Sequence, residues 1–483
     1  IAEIAIQARN RQTDEQLPVD LKKLREQQRS IVGIHEVYGH AYKELGFNKV
    51  FDKTARKPAT VKNLFHIVMG RLANPVSKMA TVADLSDNFG IELSLPSVYR
   101  MMEQIDDKVI SNIQQKAYQA ASSLFKQNIN VLFYDCTTLY FESFIEDELK
   151  ENGYSKDMKF NQPQVLLALL VTEQGLPVGY EVFPGSQYEG HTLIEALNKV
   201  EKQYKVKDIV FVADSAMLTE DNLQLLEKTG KRYVVGARLK KLPKQYHQKI
   251  LDKDNYRSVS QKDDKYEYSI QELSVKNRRL IVSYNGKNAK KDAWDREKAI
   301  EKLLAKLKKK KTSPADLISN FGYKKFLQLK GKASVEVNQE KIEKEKLWDG
   351  LHGVITNHPD LTPEQITQQY QGLWQVEQCF RVSKHDLKIR PVFHWTPKMI
   401  KAHIAICFMA LACSRYLHYR IKTQHITLSE QRMRQQLLSV QISILKHLQS
   451  KTLYGIPSPI TQDVKKIYQV MGLKISDVPF RIN

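Results

Sequence analysis

The chain has 483 residues, more than one hydrophobic core usually supports, so several domains are expected. Lysine and arginine together number 75 against 54 aspartate and glutamate residues, which gives a formal net charge of +21. This surplus indicates a polyanionic partner, and DNA or RNA fits better than a membrane surface because no strongly amphipathic basic helix is present. The four cysteines lack zinc or disulfide spacing and predict reduced thiols in a cytoplasmic protein. No run approaches a membrane span.

Residues 1–125 have the periodicity of a helical region. Apolar residues recur at helical spacing over 60–72 and again over 78–89, where a glycine interrupts the pattern. Ser94 is a predicted N-cap for a short helix that carries Arg100. Two helices joined by a glycine turn resemble a helix-turn-helix, in which Arg100 contacts DNA, although any small helical bundle has the same pattern.

From about residue 128 the periodicity changes to that of strands. The predicted elements are strands at 131–134 and 137–141, a hairpin of 164–172 with 176–183, a helix at 191–203, a strand at 208–213, a helix at 219–228 and a strand at 232–236. The order β-β-β-α-β-α-β predicts an α/β fold, a mixed sheet with helices. The ribonuclease-H-like fold has this order.

A lysine-rich stretch interrupts this pattern. It contains local strands at 266–273 and 279–284 and a charged helix at 302–311 that ends in four lysines. Singly such lysines form a solvated helix end, and collectively they predict phosphate contact. A strand at 353–356 then rejoins the core. The predicted organisation is a helical DNA-binding region at 1–125, a catalytic core in two parts at 126–240 and 348–425, a basic β-rich insertion at 241–347, and a helical C-terminal region at 426–483.

Three acidic residues carry the predicted chemistry. Asp135 and Asp214 each end an apolar run, and Glu377 lies on a helix that opens at Pro363. Each alone is typical of a turn, a cap or a surface position, but together they are typical of a two-metal phosphoryl-transfer site. Carboxylates suit Mg²⁺, so we expect two Mg²⁺ ions, with Mn²⁺ able to substitute. The three residues form the predicted catalytic and metal-binding set of an enzyme that cuts and joins nucleic acid.

The residues around Glu377 support this prediction. Tyr370, Leu373, Glu377, Arg381 and Lys384 follow one another at spacings of three or four, which places them along one side of a single helix. A guanidinium can hold phosphate through two hydrogen bonds, and an ammonium acts as a point charge. We therefore predict that Tyr370, Arg381 and Lys384 contact DNA.

The same helix resembles the Y-x2-R-x3-E-x6-K signature of the DDE insertion-sequence transposases of the YREK group, because Tyr370, Glu377 and Lys384 match at its spacing. Further segments that resemble this family lie at 133–142, 185–192, 212–218 and 390–395, and the resemblance covers about 130–237 and 348–420. It implies a bacterial DNA transposase in which water attacks the phosphodiester at the transposon end and the freed 3′-hydroxyl attacks a second phosphodiester. It also implies a homodimer in the synaptic complex, with 398–483 as a candidate region for dimer contacts.

One position departs from this signature. Its arginine falls on Leu373, which cannot bind phosphate; in the family that arginine and the tyrosine help to hold a flipped base near the cleaved end. The departure puts hairpin formation in question more than cleavage, and Arg381 is a candidate substitute. Trp348, at the exit of the insertion, is expected to stack on an unpaired base, as a tryptophan does in relatives.

Two alternative functions stay open. A non-catalytic or domesticated DNA-binding protein would keep the basic surface and ignore metal. A nuclease or junction resolvase of the same fold would cut DNA without joining strands.

Overall fold

In the computed structural model, the chain divides into two compact units, one formed by residues 1–209 with 372–483 and the other by 210–371. The structure describes residues 7–9, 20–51, 58–125, 129–142, 145–153, 161–204, 209–215, 219–259, 265–308, 326–330 and 334–482. Most of the predicted lysine run at 308–311 and the end of the segment 212–218 lie outside these residues. The five predicted domain ranges remain predictions.

The first unit contains helices and two sheets. Its helices are α1 (Gly39–Glu44), α2 (Pro58–Ala73), α3 (Lys78–Phe89), α4 (Leu95–Met102), α5 (Asp107–Phe125), α6 (Glu189–Tyr204), α12 (Trp374–Arg381), α13 (Pro397–Thr423), α14 (Glu430–Leu438) and α15 (Gln462–Val470). Its strands are β1 (Leu24–Ile31), β2 (Val131–Tyr140), β3 (Gln164–Thr172), β4 (Pro177–Pro184), β13 (Gln441–His447), β14 (Leu453–Pro457) and β15 (Phe480–Ile482).

The predicted helices near the N-terminus are confirmed together with their caps. Gly90 ends α3 with φ +64°, a left-handed conformation that costs glycine little. The Ser94 hydroxyl accepts a hydrogen bond from the Ser97 backbone N–H at 3.4 Å and begins α4. Arg100 lies exposed on α4.

The prediction of purely helical terminal regions is wrong, because β1 belongs to one and β13, β14 and β15 to the other. These strands form one antiparallel sheet in the order β1-β13-β14-β15. Leu24 pairs with His447 and Ile31 with Gln441, so the two partners are separated by most of the chain. The strand β1 is mostly exposed, so its sequence has no alternation of apolar and polar residues that would predict a strand.

A second sheet of the first unit has the antiparallel order β4-β3-β2. The predicted hairpin of β3 and β4 is confirmed, with Gly175 in its turn at φ +83°. The predicted break after Asp135 is wrong: residues 131–140 form one strand, and all but its first residue pair with β3. Asp135 therefore lies in the middle of a strand and not at its end.

The helix α13 is long and apolar enough to cross a membrane by length and composition alone, but 94% of its most apolar window is buried inside the protein. Its cysteines Cys407 and Cys413, like Cys136 and Cys379, are buried and form no disulfide in the described part of the chain. The helix therefore forms part of the core of the first unit.

The second unit is built on a mixed sheet. Its strands are β5 (Val210–Ala213), β6 (Arg232–Ala237), β7 (Arg257–Ser258), β8 (Tyr268–Val275), β9 (Arg278–Asn285), β10 (Leu327–Lys330), β11 (Ser334–Val337) and β12 (Leu351–Thr356). Its helices are α7 (Glu220–Lys228), α8 (Lys244–Leu251), α9 (Gly286–Lys308), α10 (Gln339–Lys346) and α11 (Pro363–Gln371). The Thr219 hydroxyl caps α7 as predicted, accepting from the Asn222 N–H at 3.2 Å.

Three strands of the predicted insertion, β7, β8 and β9, continue this sheet, whereas β10 and β11 pair with each other in a separate two-stranded sheet. In the second unit the order is β5-β6-β12-β9-β8-β7, with β5 and β6 parallel and the other pairs antiparallel. Lys276 and Asn277 join β8 to β9 with φ of 51° and 63°, as a two-residue hairpin turn requires. The strand β12 rejoins the sheet as predicted and links the hairpin to β6.

The single helix predicted from Pro363 through Lys384 is also wrong. It ends at Gln371, and α12 starts again at Trp374 after a tight turn in which the Gln375 N–H donates to the Gly372 carbonyl at 3.0 Å. Glycine weakens a helix at this point, and Leu373 turns into the core with 7% of its surface exposed. Tyr370 and Glu377 therefore belong to different helices, and no single helix carries both.

Candidate functional site

Asp135 lies half-buried at the centre of β2. Its Oδ1 accepts a hydrogen bond from the Cys136 N–H at 2.8 Å. The neighbouring Tyr134 points to the opposite face, where its hydroxyl lies 2.7 Å from the Thr192 hydroxyl on α6. Asp135 therefore faces away from α6.

Cross-strand pairing identifies what lies on the Asp135 face. Asp135 pairs with Leu169 of β3, and Leu169 pairs with Tyr180 of β4. Residues directly opposite each other in a sheet point to the same side. The ring of Tyr180 lies 4.9 Å from that of Phe408, measured between centroids, so the Asp135 face is the one that α13 covers.

Glu377 is brought to the same face by a buried arginine. Arg415 of α13 donates to the Gln375 side-chain oxygen on α12 at 3.1 Å and to the Gly175 carbonyl in the β3–β4 turn at 2.9 Å. The helix α12 also packs on β2 and β3. Its buried side includes Val376 and Cys379, and Glu377 is exposed. Asp135 and Glu377 thus share one side of one sheet.

The predicted cationic contacts of the first unit lie at three places. Arg381 is exposed one turn after Glu377 on α12, and Lys384 is half-buried in the wider helical turn Val382–Asp386 that follows. Arg100 lies on α4. The structure therefore places Arg381 beside Glu377 on one helix. Among the described residues, no hydrogen bond or ion pair joins Arg100 to Arg381 or to Glu377.

Asp214 follows β5 directly, as predicted, and is exposed. Its Oδ1 accepts from the Ser215 N–H at 2.6 Å and from the Tyr370 hydroxyl at 3.4 Å. Tyr370 reaches this position across Gly236, where any Cβ would lie 2.2 Å from the tyrosine hydroxyl. The second unit therefore brings Tyr370 to Asp214, and Gly236 makes the approach possible.

A cleft of about 840 Å³ lies beside this pair within the second unit. Its lining includes Ser215, Gly236, Arg238, Lys240, Lys241, Arg296, Trp348 and Tyr370. The Trp348 ring meets that of His247 edge-on at 5.0 Å between centroids, and the Lys240 ammonium lies 6.0 Å from the Trp348 ring centroid. The structure thus places Tyr370 and Trp348 on one cleft.

The charges of the cleft are only partly neutralised. Arg296 holds Asp349 through two hydrogen bonds of 2.5 and 2.7 Å, which raises the pKa of the guanidinium. Lys240 pairs with Glu345 at 2.6 Å. Arg238 and Lys241 are exposed and have no carboxylate partner among the residues that the structure describes. In this described part of the chain Arg238 and Lys241 therefore remain unpaired, while Asp292 and Asp295 also line the cleft and bring its acidic side chains to the same number as its lysines and arginines.

Asp135, Asp214 and Glu377 have the oxygen ligands that a hard cation prefers, although the described residues form no complete metal-binding cluster. Across the described ranges, no group of three or more His, Cys, Asp and Glu side chains could hold a metal ion. Asp135 and Glu377 belong to one unit and Asp214 to the other. Within the same described residues the Asp214 Oδ2 accepts no hydrogen bond and the Glu377 carboxylate forms no ion pair. Both therefore offer oxygen ligands to a divalent ion.

Sequence reasoning missed several residues that build these places. In the sequence Gly236 is only the last residue of a predicted strand, and Arg238 and Lys241 follow that strand without any motif. Arg415 belongs to no motif either. A positively charged side chain in an apolar helix is a signal for a buried ion pair, but its partners cannot be read from the sequence.

Comparison with known proteins gives one extensive match, in which residues 126–413 match the family model described as transposase DDE domain. No curated protein matches the chain. Among solved structures, a piggyBac transposase synaptic complex with hairpin DNA is 9% identical, with 84% of this chain and 79% of that chain covered and a TM-score of 0.37. A Mos1 transposase paired-end complex with the left transposon end is 13% identical, with 46% of this chain and 61% of that chain covered and a TM-score of 0.16.

Both TM-scores are below 0.5, so the family match carries the assignment by itself. It spans more than half of the 483 residues and includes the β2–β4 sheet, the whole second unit and α12. The chain therefore belongs to the transposase DDE domain family, and it is a DNA transposase.

Proposed function

We propose that this transposase cuts the ends of a mobile DNA element and joins them to target DNA, using Asp135, Asp214 and Glu377 as its catalytic carboxylates. The observation that supports this most is the arrangement within each unit. Asp135 and Glu377 lie on one face of the β2–β4 sheet, and Asp214 lies at the end of β5, hydrogen-bonded to Tyr370. The proposal includes a ribonuclease-H-like core and membership of the YREK group.

The transposase DDE domain family implies the use of divalent metal. We propose Mg²⁺, held by the three carboxylates, with Mn²⁺ able to replace it. Two such ions, when bound, stabilise negative charge on the attacking and leaving oxygens of an in-line displacement. The side chains of this protein would supply the ligands, and the exposed, unpaired oxygens of Asp214 and Glu377 suit that role.

The cleft of the second unit is proposed to receive the DNA end. Arg238 and Lys241 offer positive charge for phosphate, and Trp348 offers a partly exposed ring for an unpaired base. Tyr370 orients Asp214 through its hydroxyl, so it acts as a positioning residue and not as a nucleophile.

The departure at Leu373 concerns the finer comparison with the YREK group. Leu373 fills a buried position at the turn between α11 and α12, where a guanidinium would lose its hydration. Arg381, exposed one turn after Glu377, is the proposed substitute for phosphate binding. We therefore propose no hairpin intermediate for this protein.

We further propose that the protein acts as a homodimer, because two transposon ends must be cut and joined in one event. The proposed location is the bacterial cytoplasm.

Three charge-removing variants test the proposal: Asp135→Asn, Asp214→Asn and Glu377→Gln. Each should abolish Mg²⁺-dependent cleavage of end-containing DNA while leaving DNA binding in EDTA unchanged, because each keeps the size of the side chain and removes a metal ligand. Asp87→Asn is the matched control, since Asp87 is an exposed carboxylate on α3. Full activity in any of the three variants would remove that residue from the catalytic set.

The same assays separate the alternatives. Binding without cleavage in either Mg²⁺ or Mn²⁺ would identify a non-catalytic DNA-binding protein. Cleavage without covalent joining of the cut end to a second DNA would identify a nuclease or resolvase.

A further inference from the structure

The segment Leu387–Trp395, between α12 and α13, exposes two of the largest aromatic side chains of the first unit. Phe393 is 63% exposed and Trp395 is 66% exposed. His394 between them turns inward, and its ring contacts those of His403 and Tyr99 at centroid distances of 5.2 and 6.5 Å. Tyr99 of α4 is itself partly exposed. We call Tyr99, Phe393 and Trp395 the aromatic platform.

The backbone beneath the platform is firmly held, so this exposure is not the property of a loosely attached loop. Buried Arg71 donates to the carbonyls of Leu387 and Lys388 at 3.4 and 3.5 Å. The Ile389 N–H donates to the Ser383 carbonyl at 2.9 Å, and Val392 is buried and bridged to the end of β2. Folding therefore fixes the segment while leaving its two largest rings in water, where they contribute nothing to the core.

The charge around the platform is positive. Residues 387–401 contain four lysines and arginines and no aspartate or glutamate, and one of the four, Lys401, pairs with Asp107 at 3.1 Å. Lys398 and Arg100 are exposed and have no carboxylate partner among the described residues, and the Arg390 guanidinium lies 5.5 Å from the Tyr140 ring centroid. Exposed rings beside unneutralised cations match a chain that carries flat bases and negative phosphates.

We propose that the aromatic platform binds an unpaired DNA strand, with bases stacked on Phe393 and Trp395 and phosphates held by Arg100 and Lys398. Base faces are hidden in a stacked duplex and open in a single strand, so the rings select unpaired DNA. This inference rests on DNA being the partner of the protein. It concerns a surface of the first unit that is separate from the Trp348 cleft, which lies wholly in the second.

The test is fluorescence anisotropy with a labelled oligothymidylate and a blunt duplex of equal length, in EDTA so that no cleavage occurs. Trp395→Ala and Phe393→Ala should each weaken oligothymidylate binding about tenfold, the effect expected for losing one stacked base. Duplex binding should change by less than about twofold. Trp395→Phe should keep most of the affinity. Trp294→Ala is the matched control, because Trp294 is 58% exposed on α9 in the other unit.

The salt dependence of the DNA affinity distinguishes the role of the cations from that of the aromatic rings. Arg100→Ala and Lys398→Ala should each reduce the slope of log affinity against log salt by about 0.7, and the aromatic variants should leave it unchanged. The rings are exposed, so the variants should fold, which circular dichroism checks.

Several results would overturn the proposal. The first is that the wild type does not bind oligothymidylate. The second is that Trp395→Ala, Phe393→Ala and Trp294→Ala bind it with equal affinity. Equal losses on duplex and single strand would show that the rings do not read open bases. If Trp395→Ala or Phe393→Ala binds DNA as the wild type does but has a different sedimentation coefficient, the surface would instead bind a protein partner. All of these readouts are independent of cleavage, so their failure would leave the proposed catalytic carboxylates untouched.

Discussion

Arg415 offers the sharpest test of how the first unit holds its candidate catalytic face together. Its side chain is 3% exposed and bonds three separate elements: Glu430 on α14 at 2.8 Å, the Gly175 carbonyl at 2.9 Å and Gln375 on α12 at 3.1 Å. Arg415→Met keeps an unbranched apolar stem and removes these three hydrogen bonds. The carboxylate of Glu430, itself 7% exposed, is then left buried without its cation.

The magnitude follows from this burial. Removing one partner of a buried ion pair costs about 3–5 kcal/mol, because the remaining charge is uncompensated. Arg432 pairs with Asp463 at 3.2 Å on the surface of the same unit, and Arg432→Met should cost at most about 1 kcal/mol. The double variant Arg415→Met/Glu430→Gln should be less destabilised than Arg415→Met alone, since it leaves no buried charge.

The assay is urea unfolding followed by tryptophan fluorescence. Replacing Trp294 and Trp348 by Phe in the background leaves Trp374 and Trp395 as reporters, and both lie in the first unit. Metal-dependent cleavage should fall together with stability in Arg415→Met, because α12 carries Glu377 and loses its attachment to the β3–β4 turn. The reasoning is refuted if Arg415→Met loses no more stability than Arg432→Met.

Two further predictions use single positions. Burial lowers the pKa of Lys78 from its usual value to about 7, so the unfolded chain binds more protons than the folded one between pH 7 and the ordinary lysine pKa. Stability should therefore rise with pH across this window, and Lys78→Met should raise the urea midpoint at pH 7 and flatten that rise, whereas an unchanged pH profile would contradict the assignment. Gly236→Ala should displace the Tyr370 hydroxyl from Asp214, because the new Cβ would lie 2.2 Å from it. The expected result is slower cleavage that resembles Tyr370→Phe, and cleavage at the wild-type rate would show that the contact has no role.

The sequence predicted most of the local structure because local signals specify it. Ser94, Thr219 and Gly175 each satisfy a cap or a turn through neighbours a few residues away, and all three positions are confirmed. The buried strands around Val212 and Val234 follow from apolar runs that only a sheet interior accommodates.

Predictions that depended on distant partners were less accurate. The pairing of β1 with β13 depends on residues that lie some four hundred positions apart, and no local pattern announces it. The spacing of Tyr370 and Glu377 predicts one continuous helix, whereas the structure has a turn at Gly372 and Leu373 between two helices. The apolar run that stops at Asp135 predicts a strand end there, although pairing with β3 carries the strand onward.

The sequence by itself therefore determined the family, the positive charge, the candidate carboxylates and the local signals that start and stop many elements. These depend on residue type and short spacing. Only the tertiary structure decided that Asp135 and Glu377 share a sheet face, that Gly236 admits Tyr370 to Asp214, and that Phe393 and Trp395 remain in water. Those outcomes arise from packing between segments far apart in the chain, where close contact and burial select one arrangement among many that the same local patterns allow.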